Sequence, residues 1–467
     1  MSKKVAKAAR QDTLAALRAK ALAAHRQDKL DEAKELYRRY LATEPGDALV
    51  WSNLGALLRK EGAHILARAA QRRAYELSPE LEAVRANLAN ILADLGDAEE
   101  ALELRQMVSA NRPDHAETKA MNGKSLRSLG RYDDAVAYLG KAWADHPDYP
   151  ELGIQLAMSQ LAAGDYATGF RNFDVRWQTN ELTPRNMTKP KWDGSLLDGK
   201  RILVMPEQGY GDGIAFARFL PALQRFNPAK VMMLSERPVA RLFDGVAGAD
   251  WVGPQMPEPD DYDVWTNIMD LPPLHFDVES AVPKPTVLTV PEDSQARARA
   301  VTRPFEDRFR VGVVWTGSLT YRGNRYRSFS HTEFHSLLDL PELQLFSLYK
   351  GPETKLLHAD GTANLIMDVG SLDRDFADCA AMMQRMDLVI TSDTATAHLA
   401  GSLGVPVWVL LHWDPFWMWG HEGVTTPWYP SMRLIRQNAP RDWANVFVRV
   451  RSKLAESIAR WGEVNAT

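Results

Sequence analysis

The sequence contains one cysteine, Cys379, among 467 residues. That excludes an internal disulfide and any metal centre built from several thiolates. The apolar surroundings of Cys379 read as core. Nor is there a run of about 18 uncharged apolar residues, the length a membrane-spanning helix needs. The opening stretch MSKKVAKAARQ is basic, but no apolar segment follows it. A secretory signal is therefore not expected, and a soluble, cytoplasmic protein is. A basic excess is missing too, since the formal net charge is -4. Nucleic acid is not an expected partner, because nothing overall would neutralise a phosphate backbone. The rest, 45% hydrophobic and 25% charged, is ordinary for a globular chain long enough for two or three cores.

The first third is periodic. Pro45, Pro79, Pro113 and Pro147 recur at a constant interval of 34, as do Ala33, Ala67, Ala101 and Ala135, and Gly62, Gly96, Gly130 and Gly164. That period belongs to the tetratricopeptide repeat (TPR), a helix, turn, helix unit. The glycine fits the turn between helices, where a left-handed backbone is needed. The alanine fits the close crossing, and proline ends the second helix. Trp51, Leu54, Gly55 and Leu58 match the first-helix signature best, while the first unit carries Asp28 in place of the turn glycine. Four units run from about Leu14 to Pro147, and a fifth, divergent one from Pro150 to about Trp177. Such arrays present a groove to a protein segment, although a dimerisation or spacer role would need the same packing residues. Residues 180–198, NELTPRNMTKPKWDGSLLD, form a linker or an arm lying over the next domain.

Strands and helices alternate afterwards, which predicts Rossmann-like layers. Arg201 to Met205 is a strand, followed by the loop PEQGYGDG and a helix from Ile214 to Leu223. Gly209, Gly211 and Gly213 allow a sharp turn at the carboxyl end of the strand, where ligands sit in open α/β sheets. Asp212 has two readings: a cap for the helix, or a base facing the cleft that takes a proton from an acceptor hydroxyl. Further strands are expected at 231–234, 251–252 and 263–266, with a helical segment at 237–243. Asp261-Tyr-Asp263 and Asp373-Arg-Asp375 both show a two-carboxylate spacing used elsewhere to hold a metal. With no supporting cluster they read as caps or solvated charges.

A second domain is expected from about Arg308, with strands at 311–315 and 343–348. Thr316-Gly317-Ser318 turns into a loop holding Arg322, Arg325 and Arg327. Guanidinium groups behind such a turn suit a diphosphate, and a solvated basic loop is the plain alternative. Gly351 would permit close approach of a base or ribose, and Lys350 would reach a phosphate. Asp375 reads as a cap for a helix running to about Met386. Trp413, Phe416, Trp417, Trp419, Trp428 and Tyr429 are dense enough for a stacking wall, but read mostly as core. A closing helix runs from 442 to about 461.

The stretch DLVITSDTATAHLAGSLGVPVWVLL, from Asp387 to Leu411, reads as strand, helix, strand. Ser392 and Asp393 supply N-cap chemistry, the helix runs from Thr394 to about Leu403, and Val407 to Leu411 is the next strand. Thr394, Thr396 and His398 lie in the first turn or so, where free N–H groups and the helix dipole favour an anion. A phosphate site is one reading. The other is a well-packed helix start in which His398 bonds a neighbouring carbonyl.

This stretch resembles the donor-binding motif of heptosyltransferase-like glycosyltransferases of the GT-B fold. There an Asp, a Ser or Thr, a Gly and, three residues on, a His open a helix facing the sugar nucleotide's diphosphate. Asp393, Thr394 and His398 match, while Ala395 replaces the glycine. Gly211-Asp212 resembles the Gly-Asp pair whose aspartate acts as base in that group. Bacterial proteins that join TPR repeats to such a domain look closer still, including at Asn324 to Phe329, and some of them modify flagellin.

The resemblance implies an α plus α/β chain, a TPR solenoid followed by two Rossmann-like domains. The boundaries expected are 1–179 solenoid, 180–198 linker, 199–305 acceptor-side domain and 306–467 nucleotide-sugar domain. It implies a metal-independent glycosyltransferase with no cofactor beyond its nucleotide-sugar donor. Asp212 would be the base. Gly209, Gly211, Gly317, Ser318, Arg325, Arg327, Lys350, Gly351, Asp393, Thr394, Thr396 and His398 would hold the donor. A protein, with flagellin as the candidate, would be the acceptor held by the repeats. Two other readings stay open: an adaptor with a catalytically inactive α/β region, and a transferase acting on a lipopolysaccharide-type glycan.

Overall fold

The computed structural model describes residues 3–179, 182–321 and 323–465. Arg322, expected in the arginine loop, lies outside the described residues, as do Asn180 and Glu181 at the start of the expected linker. The chain divides into two compact units, Met1–Ser159 and Gln160–Thr467.

The first unit is a helical repeat array. Its helix pairs are Lys3–Arg26 with Leu30–Leu41, Ala48–Lys60 with His64–Leu77, Glu82–Leu95 with Ala98–Asn111, and Ala116–Ser128 with Tyr132–Asp145. The alanine register sits where the helices cross, with Ala33, Ala67, Ala101 and Ala135 fully buried. Consecutive clusters of leucine, alanine and tyrosine run along the stack and bury what no single pair could cover. Gly62, Gly96 and Gly130 take left-handed φ of 81°, 89° and 71°, and Asp28, at the degenerate position, takes 61°. The turn geometry is thus kept even without glycine; Asp is among the few residues with a side chain that visit this region.

A further helical pair, Pro150–Ala162 and Tyr166–Asn172, carries the fifth period. From residue 160 onward the chain belongs to the second unit, so the division falls within the Pro150–Ala162 helix, before the expected end of the solenoid at 179.

The second unit contains two wholly parallel sheets. One has four strands: β1 (Arg201–Met205), β2 (Lys230–Leu234), β3 (Trp251–Gly253) and β4 (Val264–Asn267), in the order β3-β2-β1-β4. The other has six: β5 (Phe309–Val314), β6 (Leu343–Ser347), β7 (Ile366–Asp368), β8 (Leu388–Ser392), β9 (Val407–Leu411) and β10 (Met432–Arg436), in the order β10-β9-β8-β5-β6-β7. Each sheet reverses its winding beside its first strand, between β1 and β4 and between β5 and β8. Such switch points open a crevice at the carboxyl ends of the strands.

Residues 189–192 are an arm on the β4 edge. Trp265 N–H donates to Pro190 O at 3.2 Å, and Trp192 N–H donates to Trp265 O at 2.7 Å. Most of the late aromatics are core, as Trp417, Trp419, Trp428 and Tyr429 are buried while Trp413 and Phe416 are half-buried. Tyr166 and Phe170 of the preceding hairpin pack on Phe276, Trp417 and Trp428. The closing helix, Trp443–Asn465, packs mainly on the His331–Leu337 segment and β10.

Several local expectations need correction. The helix after β1 spans Tyr210–Phe216, earlier than expected, and continues as a 3-10 segment, Ala217–Phe226, because Pro221 lacks the N–H a longer α-helix would require. Only Ala240–Phe243 of the helix expected at 237–243 forms, also as a 3-10 turn. Asp373 is not a solvated charge. It is buried, and burial, reinforced by Asp378, pushes its carboxyl up to about 7. Asp261 accepts the Glu258 N–H at 3.0 Å, and Asp263 pairs with Arg201. Asp375, by contrast, is the cap expected, serving the helix Phe376–Met383 through the N–H groups of Ala377 and Asp378.

Candidate functional site

The helix Ala395–Ser402 follows β8 at the switch point of the six-stranded sheet, and the helix Tyr210–Phe216 follows β1. The two helices pack directly on each other. Gly211 makes this possible: a Cβ there would stand 3.1 Å from His398 Cδ2 and 3.3 Å from the Ala395 Cα.

The N-cap of the 395–402 helix is Thr394, with extended backbone and no side-chain cap bond. Ser392 and Asp393 were expected to cap it, but Ser392 ends β8 and Asp393 still precedes the cap. The threonine hydroxyls instead form a chain, Thr394 Oγ1 to Thr396 Oγ1 at 2.6 Å and Thr396 Oγ1 to Thr391 Oγ1 at 2.8 Å. Asp393, Thr394 and His398 are buried, while Ala395 and Thr396 are half-buried and leave the first turn partly open.

Among the described residues, His398 bonds no carbonyl. Its Nδ1 lies 3.0 Å from the Tyr429 hydroxyl, and its ring stacks on Trp419 at 5.4 Å between centroids. Burial, with Arg218 and Arg327 adding like charge, pushes its pKa down to about 3. The imidazole is therefore neutral. In the tautomer where the Tyr429 O–H donates to Nδ1, the proton sits on Nε2 and remains a donor.

Gly317, after β5, closes onto the same helix start. A Cβ there would meet Thr394 Cγ2 at 2.8 Å, Arg327 Nη2 at 3.1 Å and Asn324 Oδ1 at 3.1 Å. Asn324 organises this turn. Its Oδ1 accepts the Gly317 N–H at 3.1 Å and Arg327 Nε–H at 3.3 Å, and its Nδ2 donates to Thr316 Oγ1 at 2.9 Å. Arg327 also lies over the Tyr321 ring at 4.7 Å, and its charge bears on Asp212, Asp393 and His398.

Asp212 is half-buried. Its Oδ2 accepts the Gly209 N–H at 2.9 Å, so the capping role is real. Burial first, then the carboxylates of Glu207 and Asp393, push its carboxyl up to about 6, against the Gly209 N–H and Arg327. A carboxyl near 6 is ionised at neutral pH yet more basic than a surface aspartate. Burial likewise raises the Asp393 carboxyl, and Arg327 opposes it.

The remaining expected donor residues are elsewhere or otherwise engaged. Lys350 does not reach toward the helix start; its ammonium donates to the Asp373 carbonyl. Gly351 lies in a turn whose carbonyl accepts from Thr354. Arg325 is exposed and donates to Tyr326 Oη at 2.9 Å. Ser318 is exposed, with its hydroxyl 2.8 Å from Thr320 Oγ1. Arg325 does line a cavity of about 420 Å³ together with Trp315, Leu319, Tyr321, Asn324 and Glu353. Trp413 meets Tyr326 edge to face at 5.9 Å on the same surface.

Sequence reasoning missed a charged cluster below the Asp212 loop. Arg176 is buried, with Nε 2.7 Å and Nη2 2.9 Å from the Glu207 carboxylate and Nη2 2.5 Å from Asp270 Oδ1. Burial alone would lower its pKa; Glu207 and Asp270 outweigh it and hold the guanidinium charged. Asp270 also takes the Asn267 side chain at 2.9 Å, and Arg185 donates to Asn267 and to the Pro206 carbonyl. These contacts fix both segments at the β1/β4 switch point. No motif or period marks them in the sequence: Glu207 lies inside the PEQGYGDG loop and Arg176 is 31 residues before it.

TPR family models match residues 14–57 and 126–168, so the amino-terminal region is a TPR array. Over 470 residues the chain is 26% identical to Protein FlbA of Caulobacter vibrioides, across 93% of this chain and 77% of that protein. Among solved structures, similarity extends to MamA 41-end from Desulfovibrio magneticus RS-1, with 16% identity, 36% of this chain, 98% of that one and a TM-score of 0.34. It extends also to YrrB, described as a TPR protein with an unusual peptide-binding site, with 15% identity, 33% of this chain, 80% of that one and a TM-score of 0.31. Among the described residues, no helix is long and apolar enough to cross a membrane.

Proposed function

We propose that this chain is a metal-independent glycosyltransferase of the GT-B type, moving a sugar from a nucleotide-sugar donor to a protein held by its TPR array. The observation that carries the reading is the meeting of three strand ends: Gly211-Asp212 after β1, Gly317 and Arg327 after β5, and Thr394 to His398 after β8. Asp212 takes the proton of the acceptor hydroxyl as its oxygen bonds the anomeric carbon. The bond from that carbon to the donor phosphate breaks, and the diphosphate leaves with both bonding electrons. Arg327 and the amino end of the 395–402 helix stabilise the charge that develops. Flagellin is the proposed acceptor, by resemblance to TPR-linked transferases alone.

A second reading, an adaptor with an inactive α/β region, is favoured by the same side chains. Asp212 is bonded to Gly209, Lys350 to the Asp373 carbonyl, and His398 to Tyr429. Calorimetric titration of the full chain with a panel of nucleotide diphosphates separates the two. The transferase reading expects saturable binding of at least one, and binding of none supports the adaptor. Intact-mass analysis of flagellin and other abundant proteins, with and without the gene, then identifies the acceptor.

A further inference from the structure

We infer that His331, His335 and Asp360 form a binding site for one transition-metal dication of the zinc type. None of the three has a role in the transfer proposed above, and the site stands whether or not that reading holds.

His331 opens the 3-10 segment His331–Leu337, and His335 lies four residues on. Asp360 follows the helix Thr354–Ala359, so the chain brings these groups together from two separate segments. His331 Nε2 is 2.6 Å from Asp360 Oδ2. The two imidazole centroids are 6.1 Å apart at 76°. One donor atom from each of the three residues falls within 4.8 Å of the others. Two donors on one tetrahedral zinc stand about 3.3 Å apart, given metal-ligand distances of roughly 2.0–2.2 Å. Small side-chain rotations therefore close the set.

The supporting contacts suit a ligand site. Asp360 Oδ1 accepts the Thr362 N–H at 2.9 Å, which orients the carboxylate and leaves Oδ2 to the site. Thr362 Oγ1 lies 2.7 Å from His335 Nε2 and holds that ring in place, and an ion bound at Nε2 would take the position of this hydroxyl. His331 is buried and its ring lies 5.9 Å from that of Trp315, so one ligand is fixed in advance. His335 and Asp360 are exposed, giving an ion an open path. Two imidazoles and one carboxylate favour zinc, cobalt, nickel or copper over calcium or magnesium, which prefer oxygen alone. A bound ion would clip the 331–337 segment to the 360–362 turn and leave a fourth position for water. The plain alternative is a hydrogen-bonded strut, which binds no metal.

The test is titration of the tag-free, chelator-stripped full chain with Co²⁺, followed by visible absorption, and then displacement by Zn²⁺. The expected result is one equivalent of Co²⁺ giving d–d bands, all of it displaced by one equivalent of Zn²⁺. His335→Ala and Asp360→Asn should each weaken Co²⁺ binding at least tenfold. His358→Ala, which removes the separate His358–Asp368 pair at 2.8 Å, should leave it unchanged. Absence of a stoichiometric cobalt spectrum, or equal binding by wild type, His335→Ala and Asp360→Asn, overturns the site. Both exposed variants are read for folding by circular dichroism before titration.

Discussion

Gly211 and His398 touch across the two parallel sheets: the room for a Cβ on Gly211 ends 3.1 Å away, at His398 Cδ2. One residue on from that contact is the carboxyl group proposed as base, and Thr394, which Gly317 and Arg327 approach, precedes the same helix. The spacing between the two helices therefore sets the spacing between the proposed base and the proposed leaving-group site.

Gly211→Val tests this relationship. The added carbons would force the 210–216 and 395–402 helices apart, since the Ala395 Cα lies only 3.3 Å from where a Cβ would stand. Overpacking of this sort costs about 1–3 kcal/mol. The expected outcome is a chain that still folds, with the thermal midpoint lowered by a few degrees and transfer reduced at least tenfold. Unchanged transfer would separate the helix contact from the reaction.

Asp212 makes a prediction with a sign in pH. With its carboxyl raised from 3.8 to about 6, transfer should climb tenfold per unit below pH 6 and level off above it, because only the carboxylate accepts a proton. Asp212→Ala should cut turnover at least a hundredfold and leave nucleotide affinity nearly intact. The raised pKa also means that the ionised group costs stability when folded. That cost is absent below pH 3.8, grows between there and pH 6, and is full above. Asp212→Asn retains an acceptor for the Gly209 N–H, so it should raise the thermal midpoint at pH 7.5 and do so less at pH 5.

Arg176→Met tests the cluster below the loop. It would strand the buried carboxylate of Glu207, while Asp270 keeps Lys191 at 3.1 Å and the Asn267 side chain; removing one partner of a buried pair costs about 3–5 kcal/mol. A marked fall in the urea midpoint is expected. The double variant Arg176→Met with Glu207→Met should recover part of it, since an apolar replacement removes the stranded charge as well.

Much of the strand pattern was legible. β1 and β9 fall on the expected residues, because short β-branched runs bounded by proline or a polar residue have few other uses. β7 was missed as a run of only three residues, and β10 because Arg433 and Arg436 interrupt its apolar run. The helix at 210–216 was placed too late, since three glycines nearby argue against helix until the contact with His398 explains Gly211. Within the site, Thr394, Arg327 and Gly317 do converge, and their proximity along β5 and β8 follows from the winding of the sheet. Lys350 did not follow the expectation, because its partner, the Asp373 carbonyl, is set by packing across 23 residues. Arg176 and Glu207, 31 residues apart, carried no periodic or motif signal at all.

The strip at 189–192 bears on how this polypeptide can be dissected. It closes one border of the four-stranded sheet with main-chain hydrogen bonds, so a fragment started at Lys200 would bare the β4 backbone. Uncovered strand borders recruit other chains. What reads in the sequence as a linker or an overlying arm is, for the sheet behind it, protection against clumping.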